Sequence, residues 1–154
     1  MARAIRPYDR GVTSFNHVGQ CVTDLDRARR FYEEALGFRH LVDRDLKVPD
    51  GIASKLMRVP APVGMTAVYL AADGVVLELL HFSREGNAPQ RERSLTEPGL
   101  THLSISVDDI GAACARVREH GGEVLEDTDM GGRAIMVRDP DGQLVELLPS
   151  TWSP

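Results

Sequence analysis

Along residues 15–22 (Phe-Asn-His-Val-Gly-Gln-Cys-Val) polar or small positions alternate with apolar ones. His17, Gly19 and Cys21 share one face, and Val18, Gln20 and Val22 the other, which predicts a strand over 14–22. After Asp24 the period lengthens. Leu25, Ala28, Tyr32, Ala35 and Leu36 recur at helical spacing, with Asp24 as N-cap and Gly37 as the stop. Two more apolar runs, 66–71 and 75–82, flank the turn Asp73-Gly74 and read as strands. Between them and the helix, residues 44–65 hold three prolines and two glycines and read as loop or short helix. Residues 83–99 are polar, contain Pro89 and Pro98, and read as a linker.

The same order then recurs. A strand over 101–107 is followed by a helix capped by Asp108 or Asp109, with Ile110, Ala113, Cys114 and Val117 as its apolar stripe and Gly121-Gly122 as its end. Strands over 123–126, 133–138 and 143–148 follow, the last two joined by Asp139-Pro140-Asp141-Gly142. His17 and His102 lie 102 − 17 = 85 residues apart, and the same offset relates Asp24 to Asp109, Ala28 to Ala113 and Gly37 to Gly122. Glu78 and Glu146 lie 146 − 78 = 68 apart. The first copy therefore carries 85 − 68 = 17 extra residues, between its helix and its Asp-Gly turn. The prediction is an α+β fold of two tandem βαβββ modules in one structural domain: a tail over 1–13, a first module over 14–82 with the loop 44–65, the linker 83–99, a second module over 100–149, and a tail over 150–154. Each module leaves a sheet edge open, so the two are expected to pair.

Composition narrows the function classes. Lys and Arg total 18 against 23 Asp and Glu, a net charge of −5, which argues against nucleic acid as the partner. No apolar run approaches the roughly 18 residues of a membrane helix, and the first 13 residues lack the apolar region of a signal peptide. Cys21 and Cys114 are too few for a disulfide framework. A soluble cytoplasmic protein is expected.

Four residues carry the candidate chemistry. On the second strand pattern His102, Ser104 and Ser106 share a face, as His17, Gly19 and Cys21 do on the first, while the Leu, Ile and Val faces pack the helices. Glu78 and Glu146 stand mid-strand among Val, Leu and Leu, where an unpaired carboxylate is costly and a cation is the natural partner. Matched positions in two copies lie around a pseudo-twofold axis. His17, Glu78, His102 and Glu146 are therefore expected to hold one divalent metal ion of the Zn, Ni, Co, Mn or Fe type. Arg39, Arg44, Lys55, Arg58 and Arg133 are available to an anionic ligand but read first as surface charge, as do Arg3, Arg6, Arg10 and His40. His120 suits the end of its helix, His81 points away from Glu78, Cys21 reads as a buried thiol, and Trp152 as packed on the core or a partner.

Asn16-His17-Val18 before Asp24-Leu25, Phe31-Tyr32 before Leu36-Gly37-Phe38, Leu77-Glu78-Leu79-Leu80, Thr101-His102-Leu103, and Asp139-Pro140-Asp141-Gly142 before Val145-Glu146-Leu147 together resemble the vicinal oxygen chelate superfamily over residues 14–149. That superfamily contains glyoxalase I, methylmalonyl-CoA epimerase, extradiol dioxygenases and the fosfomycin and bleomycin resistance proteins. The resemblance implies paired modules curling into a half-barrel of mixed sheet around a divalent metal, in a homodimer acting on a small molecule. The His, Glu, His, Glu set is similar to that of bacterial glyoxalase I. It implies proton abstraction beside a metal-bound carbonyl, with Glu146 as the base and Glu78 as the second candidate, giving isomerisation of the lactoylglutathione lyase kind or acyl-CoA epimerisation. Ring-cleaving dioxygenation and non-catalytic binding of a small molecule or antibiotic are the alternatives.

Overall fold

Asp24 and Asp109 show the repeat at atomic detail. Each has extended backbone (φ −139° and −138°), and each side chain accepts from the backbone N–H three residues on, Arg27 or Ala112, at 2.9 Å. The computed structural model describes residues 14–42, 46–83 and 95–152; the expected tail with Arg3, Arg6 and Arg10, the candidate Arg44 and most of the linker lie outside them.

The first module runs β1 (Val18–Cys21), α1 (Leu25–Arg30), β2 (Arg39–His40), β3 (Leu46–Lys47), α2 (Asp50–Met57), β4 (Met65–Ala72) and β5 (Val75–Phe82). The second runs β6 (Leu103–Val107), α3 (Ile110–Glu119), β7 (Glu123–Leu125), β8 (Ile135–Arg138) and β9 (Leu144–Pro149). In the first sheet β1 is parallel to β5, β5 is antiparallel to β4, and β2 and β3 both pair with β4. In the second the order is β6-β9-β8-β7, with β6 parallel to β9. Both sheets are mixed and neither closes into a barrel, which matches the expected α+β arrangement of two βαβββ units. The first strand of each module lies at an edge, and no described strand pairs with its open side.

Local chemistry sets the registers. Asp73 and Gly74 both take positive φ (38° and 84°), as a two-residue hairpin turn between right-twisted strands requires. The turn pairs Ala72 with Val75 and so places Tyr69 opposite Glu78. The strand interiors sort by parity as expected. Val68, Leu70, Leu77 and Leu79 face the helices and join one core with Ala28, Phe31, Tyr32, Ala113, Val117, Val137, Val145 and Leu147. The modules meet through this core. Arg116 donates from Nε to the Ala35 carbonyl at 3.1 Å, and a Cβ on Gly122 would stand 2.6 Å from both the Arg138 carbonyl and Phe31 Cε2, so only glycine fits there.

Several elements differ from the sequence expectation. The strands begin at Val18 and Leu103 rather than 14 and 101. The first helix widens into a π turn over Phe31–Ala35, where Phe31, Tyr32 and Ala35 are all buried. Cys21 is exposed rather than buried, since β1 has no neighbour on its outer side. Trp152 is 50% exposed, outside the core, and His40 is half-buried on β2. The extra residues of the first copy supply β3 and α2. Asp50 accepts from the backbone N–H groups of Val63 and Gly64 at 2.9 Å, and Ala53 is buried in a small cluster with Val63, Met65 and Ala67. Met65, Ala67 and Tyr69 share the Glu78 face of the sheet by parity, so α2 covers part of that face.

Candidate functional site

The four predicted residues come together as two pairs. His17 Nε2 lies 3.1 Å from Glu78 Oε2, and His102 Nε2 lies 3.5 Å from Glu146 Oε2. The imidazoles are oriented alike, each by the residue before it. His17 Nδ1 is 2.6 Å from Asn16 Oδ1, and His102 Nδ1 is 2.9 Å from Thr101 Oγ1. Asn16 Oδ1 can only accept, so this contact calls for a proton on His17 Nδ1 and leaves Nε2 available to a cation.

The carboxylates are also held, by different means. Glu78 is only 7% exposed; the Tyr69 hydroxyl donates to its Oε1, and the His17 ring stands edge-on to the Tyr69 ring at 5.8 Å. Burial, and then the adjacent Glu78, push the Tyr69 phenol up to about 12, which keeps it a donor. Glu146 accepts from Ser104 Oγ at 2.6 Å through Oε2, and its Oε1 has no hydrogen-bond or ion-pair partner among the described residues. At the 85-residue offset Gly19 replaces Ser104, so β1 has no hydroxyl for its glutamate and Tyr69 supplies one from β4. Tyr69 escaped the sequence reading. The register implied by Asp73-Gly74 pairs residues whose numbers sum to 147 and could have found it.

The donor atoms fit a divalent cation. Two ligand atoms bonded to one metal at about 2.0–2.2 Å are roughly 3.0–3.5 Å apart at ordinary angles, the spacing of each pair. The two pairs stand apart, and among the described residues no group of three or more His, Cys, Asp or Glu side chains gathers. Within the chain the two pairs face different surroundings. The Glu78 pair adjoins the apolar cluster under α2, and the Glu146 pair stands beside Ser104. The open edges of β1 and β6 line a groove of about 990 Å³, with Gly19 and Cys21 on one side, His102 and Ser104 on the other, and Phe15 and Leu100 exposed at its rim.

The remaining candidates stand apart. No hydrogen bond or ion pair joins Arg39, Lys55, Arg58 or Arg133 to the four residues; Arg39 borders the groove, and Arg133 donates from Nε to the Met130 carbonyl at 3.2 Å. His120 ends α3 and faces Glu34 at 3.4 Å. His81 sits opposite Thr66, on the face away from Glu78.

Residues 14–147 match the family profile described as "Glyoxalase/Bleomycin resistance protein/Dioxygenase superfamily". The chain is 31% identical over 147 residues to a lactoylglutathione lyase of Pseudomonas aeruginosa, covering 89% of this chain and 82% of that protein. Among solved structures it is similar to a trypanothione-dependent glyoxalase I of Leishmania major, with TM-score 0.62, 29% identity and coverage of 86% and 84%. It also shares its fold with a glyoxalase family protein of Bacillus cereus, with TM-score 0.76, 18% identity and coverage of 92% and 97%.

Proposed function

The chain belongs to the glyoxalase/bleomycin resistance protein/dioxygenase superfamily, and from that premise we propose a homodimeric, divalent-metal-dependent enzyme that moves a proton on the carbon beside a carbonyl. The carrying observation is the two preorganised His–Glu pairs, each at chelating distance and each with its imidazole turned by a neighbouring side chain. A second copy completes the set. The unpaired edges of β1 and β6 line one groove, and a twofold-related copy aligns its own β6 and β1 with them. His17 and Glu78 of one protomer then meet His102 and Glu146 of its partner.

When bound, the cation supplies Lewis acidity to the substrate carbonyl. Glu146 is the base. Its Oε1 is unengaged, whereas Glu78 Oε1 accepts from Tyr69 and its Oε2 faces His17. Ser104 steadies the other Glu146 oxygen while Oε1 takes the proton and returns it. Return to the neighbouring carbon is isomerisation, and return to the same carbon is epimerisation. Glu78 and Tyr69 hold their half-site in place, and α2 keeps water off the adjoining face. The lactoylglutathione lyase relatives support the isomerisation of a thiol–aldehyde adduct, with acyl-CoA epimerisation as its variant. Glu78 argues against ring-cleaving oxygenation, whose two-His, one-carboxylate set leaves that position open.

The test is exchange at the substrate carbon. Metal-loaded protein incubated in deuterium oxide with a glutathione hemithioacetal, and separately with a 2-methyl-branched acyl-CoA, is expected to place deuterium on the acidic carbon of one of them. Absence of both exchange and turnover with either substrate, in protein shown to hold metal, would sink the proton-transfer reading.

A further inference from the structure

The turn between β8 and β9 is the motif that the proposed chemistry leaves unused, and it reaches across the module boundary. Asp139 is 3% exposed and receives four hydrogen bonds. Two come from its own turn, the backbone N–H groups of Asp141 and Gln143 to Oδ1 at 2.9 and 2.8 Å. The other two come from the first module: Gln20 Nε2 on β1 and the Tyr32 hydroxyl donate to Oδ2 at 2.6 and 2.9 Å. The Tyr32 oxygen also lies 2.9 Å from Gln20 Oε1, so its one proton is shared between the two acceptors and the three residues form a ring of contacts. Two residues along the same turn, Asp141 accepts from Thr23 N–H at 3.3 Å and from Arg27 Nη2 at 2.9 Å.

The pseudo-twofold repeat supplies a built-in control. Gln20 and Tyr32 correspond to Ile105 and Val117 at the 85-residue offset. Tyr69 and Met136, each opposite a glutamate, are 67 apart, and the same offset takes Asp139 to Ala72. Ile105, Val117 and Ala72 are apolar and belong to or pack against the main core. At these positions one half of the repeat is therefore apolar, and the other sets a buried acid against a tyrosine and a glutamine. Burial pushes the Asp139 carboxyl above its ordinary value, so the polar version carries a desolvation cost that its apolar counterpart avoids. Directional hydrogen bonds supply what apolar contacts lack, a single orientation between the parts they join.

We infer that Asp139, with Gln20 and Tyr32, is a positioning latch that fixes the orientation of the two modules so that each half-site meets its complement in the partner protomer. This rests on the shared-site reading above. A few degrees of rotation at the junction would separate two ligand pairs that lie on different sheets.

The experiment uses the full-length dimer and two readouts. Residual dipolar couplings of the two sheets report their relative orientation, and titration with Ni²⁺ or Zn²⁺ reports metal affinity. In the unaltered protein one alignment tensor is expected to fit both sheets. In Gln20→Leu/Tyr32→Phe, which leaves Asp139 Oδ2 buried without a donor, two tensors and at least tenfold weaker metal binding are expected. The exchange Gln20→Glu/Asp139→Asn restores an acid and a carboxamide in contact and is expected to return both readouts to within twofold. A single tensor in the double variant, or failure of the exchange to restore it, overturns the latch. An unaltered protein that binds no metal overturns the metal-enzyme reading instead, and the tensors then judge the latch alone.

Discussion

Glu78→Gln is expected to lose its metal and at least about 100-fold of its activity while keeping its fold. Substitutions in the groups that merely orient metal ligands cost 10- to 100-fold, and an anionic ligand contributes more than they do. Glutamine has the same shape and still accepts from Tyr69, so the β4–β5 register has no reason to shift. It offers the cation a neutral amide in place of a carboxylate. The metal-free variant is expected to unfold no earlier than metal-free native protein, since a buried charge has been removed. The difference emerges on adding metal. Binding at 100 times the dissociation constant stabilises the native protein by about 2.7 kcal/mol, and that gain is expected to vanish in the variant. Thermal melts with and without metal, together with elemental analysis, check this.

Phe31→Ala is expected to give the largest loss of stability, about 3–5 kcal/mol, and a fall in Tm on the order of 10 °C. Phe31 is fully buried in the π turn, stacks edge-to-face on Tyr32 at 5.3 Å, and reaches across to Gly122 in the second module. Gly122 brings only backbone to that contact, so no side chain from its position can collapse into the vacated space. Because the truncation opens the boundary between modules, metal affinity is expected to fall with stability. Urea denaturation followed by circular dichroism measures the first effect, and a loss below about 1 kcal/mol would contradict the assignment of Phe31 to the inter-module core.

The repeat made the elements legible because both copies obey the same local rules: an Asp cap, an apolar stripe and a glycine stop, then a turn that fixes two strands. Strand parity also placed His17 with Gly19 and Cys21, and His102 with Ser104 and Ser106, while the glutamate beside each histidine follows from the β1–β5 and β6–β9 registers. Two kinds of information were not local. The inserted segment was readable as loop or helix, but nothing in its prolines and glycines says that α2 covers the Glu78 face; that follows from Asp50 reaching Val63 and Gly64. The relation between the halves was likewise hidden. Pseudo-symmetry suggested four converging ligands, whereas the chain packs its modules through helices and the β8–β9 turn and leaves the two pairs separate. One clue to that packing was present. Gln20 is a polar residue on a helix-packing face, and its partners are the buried Tyr32 and Asp139 of the junction.

Mixing two inactive variants tests the shared site most directly. His17→Ala and His102→Ala each damage every site in their own homodimers. In a mixed dimer both losses fall on one site and the other keeps His17, Glu78, His102 and Glu146 intact. Unfolded together and refolded at equal ratio, the two are expected to yield mixed dimers holding one metal ion each, about a quarter of the native metal content when pairing is random. If the mixture holds no more metal than the separate variants, the four residues are not shared between protomers in this way.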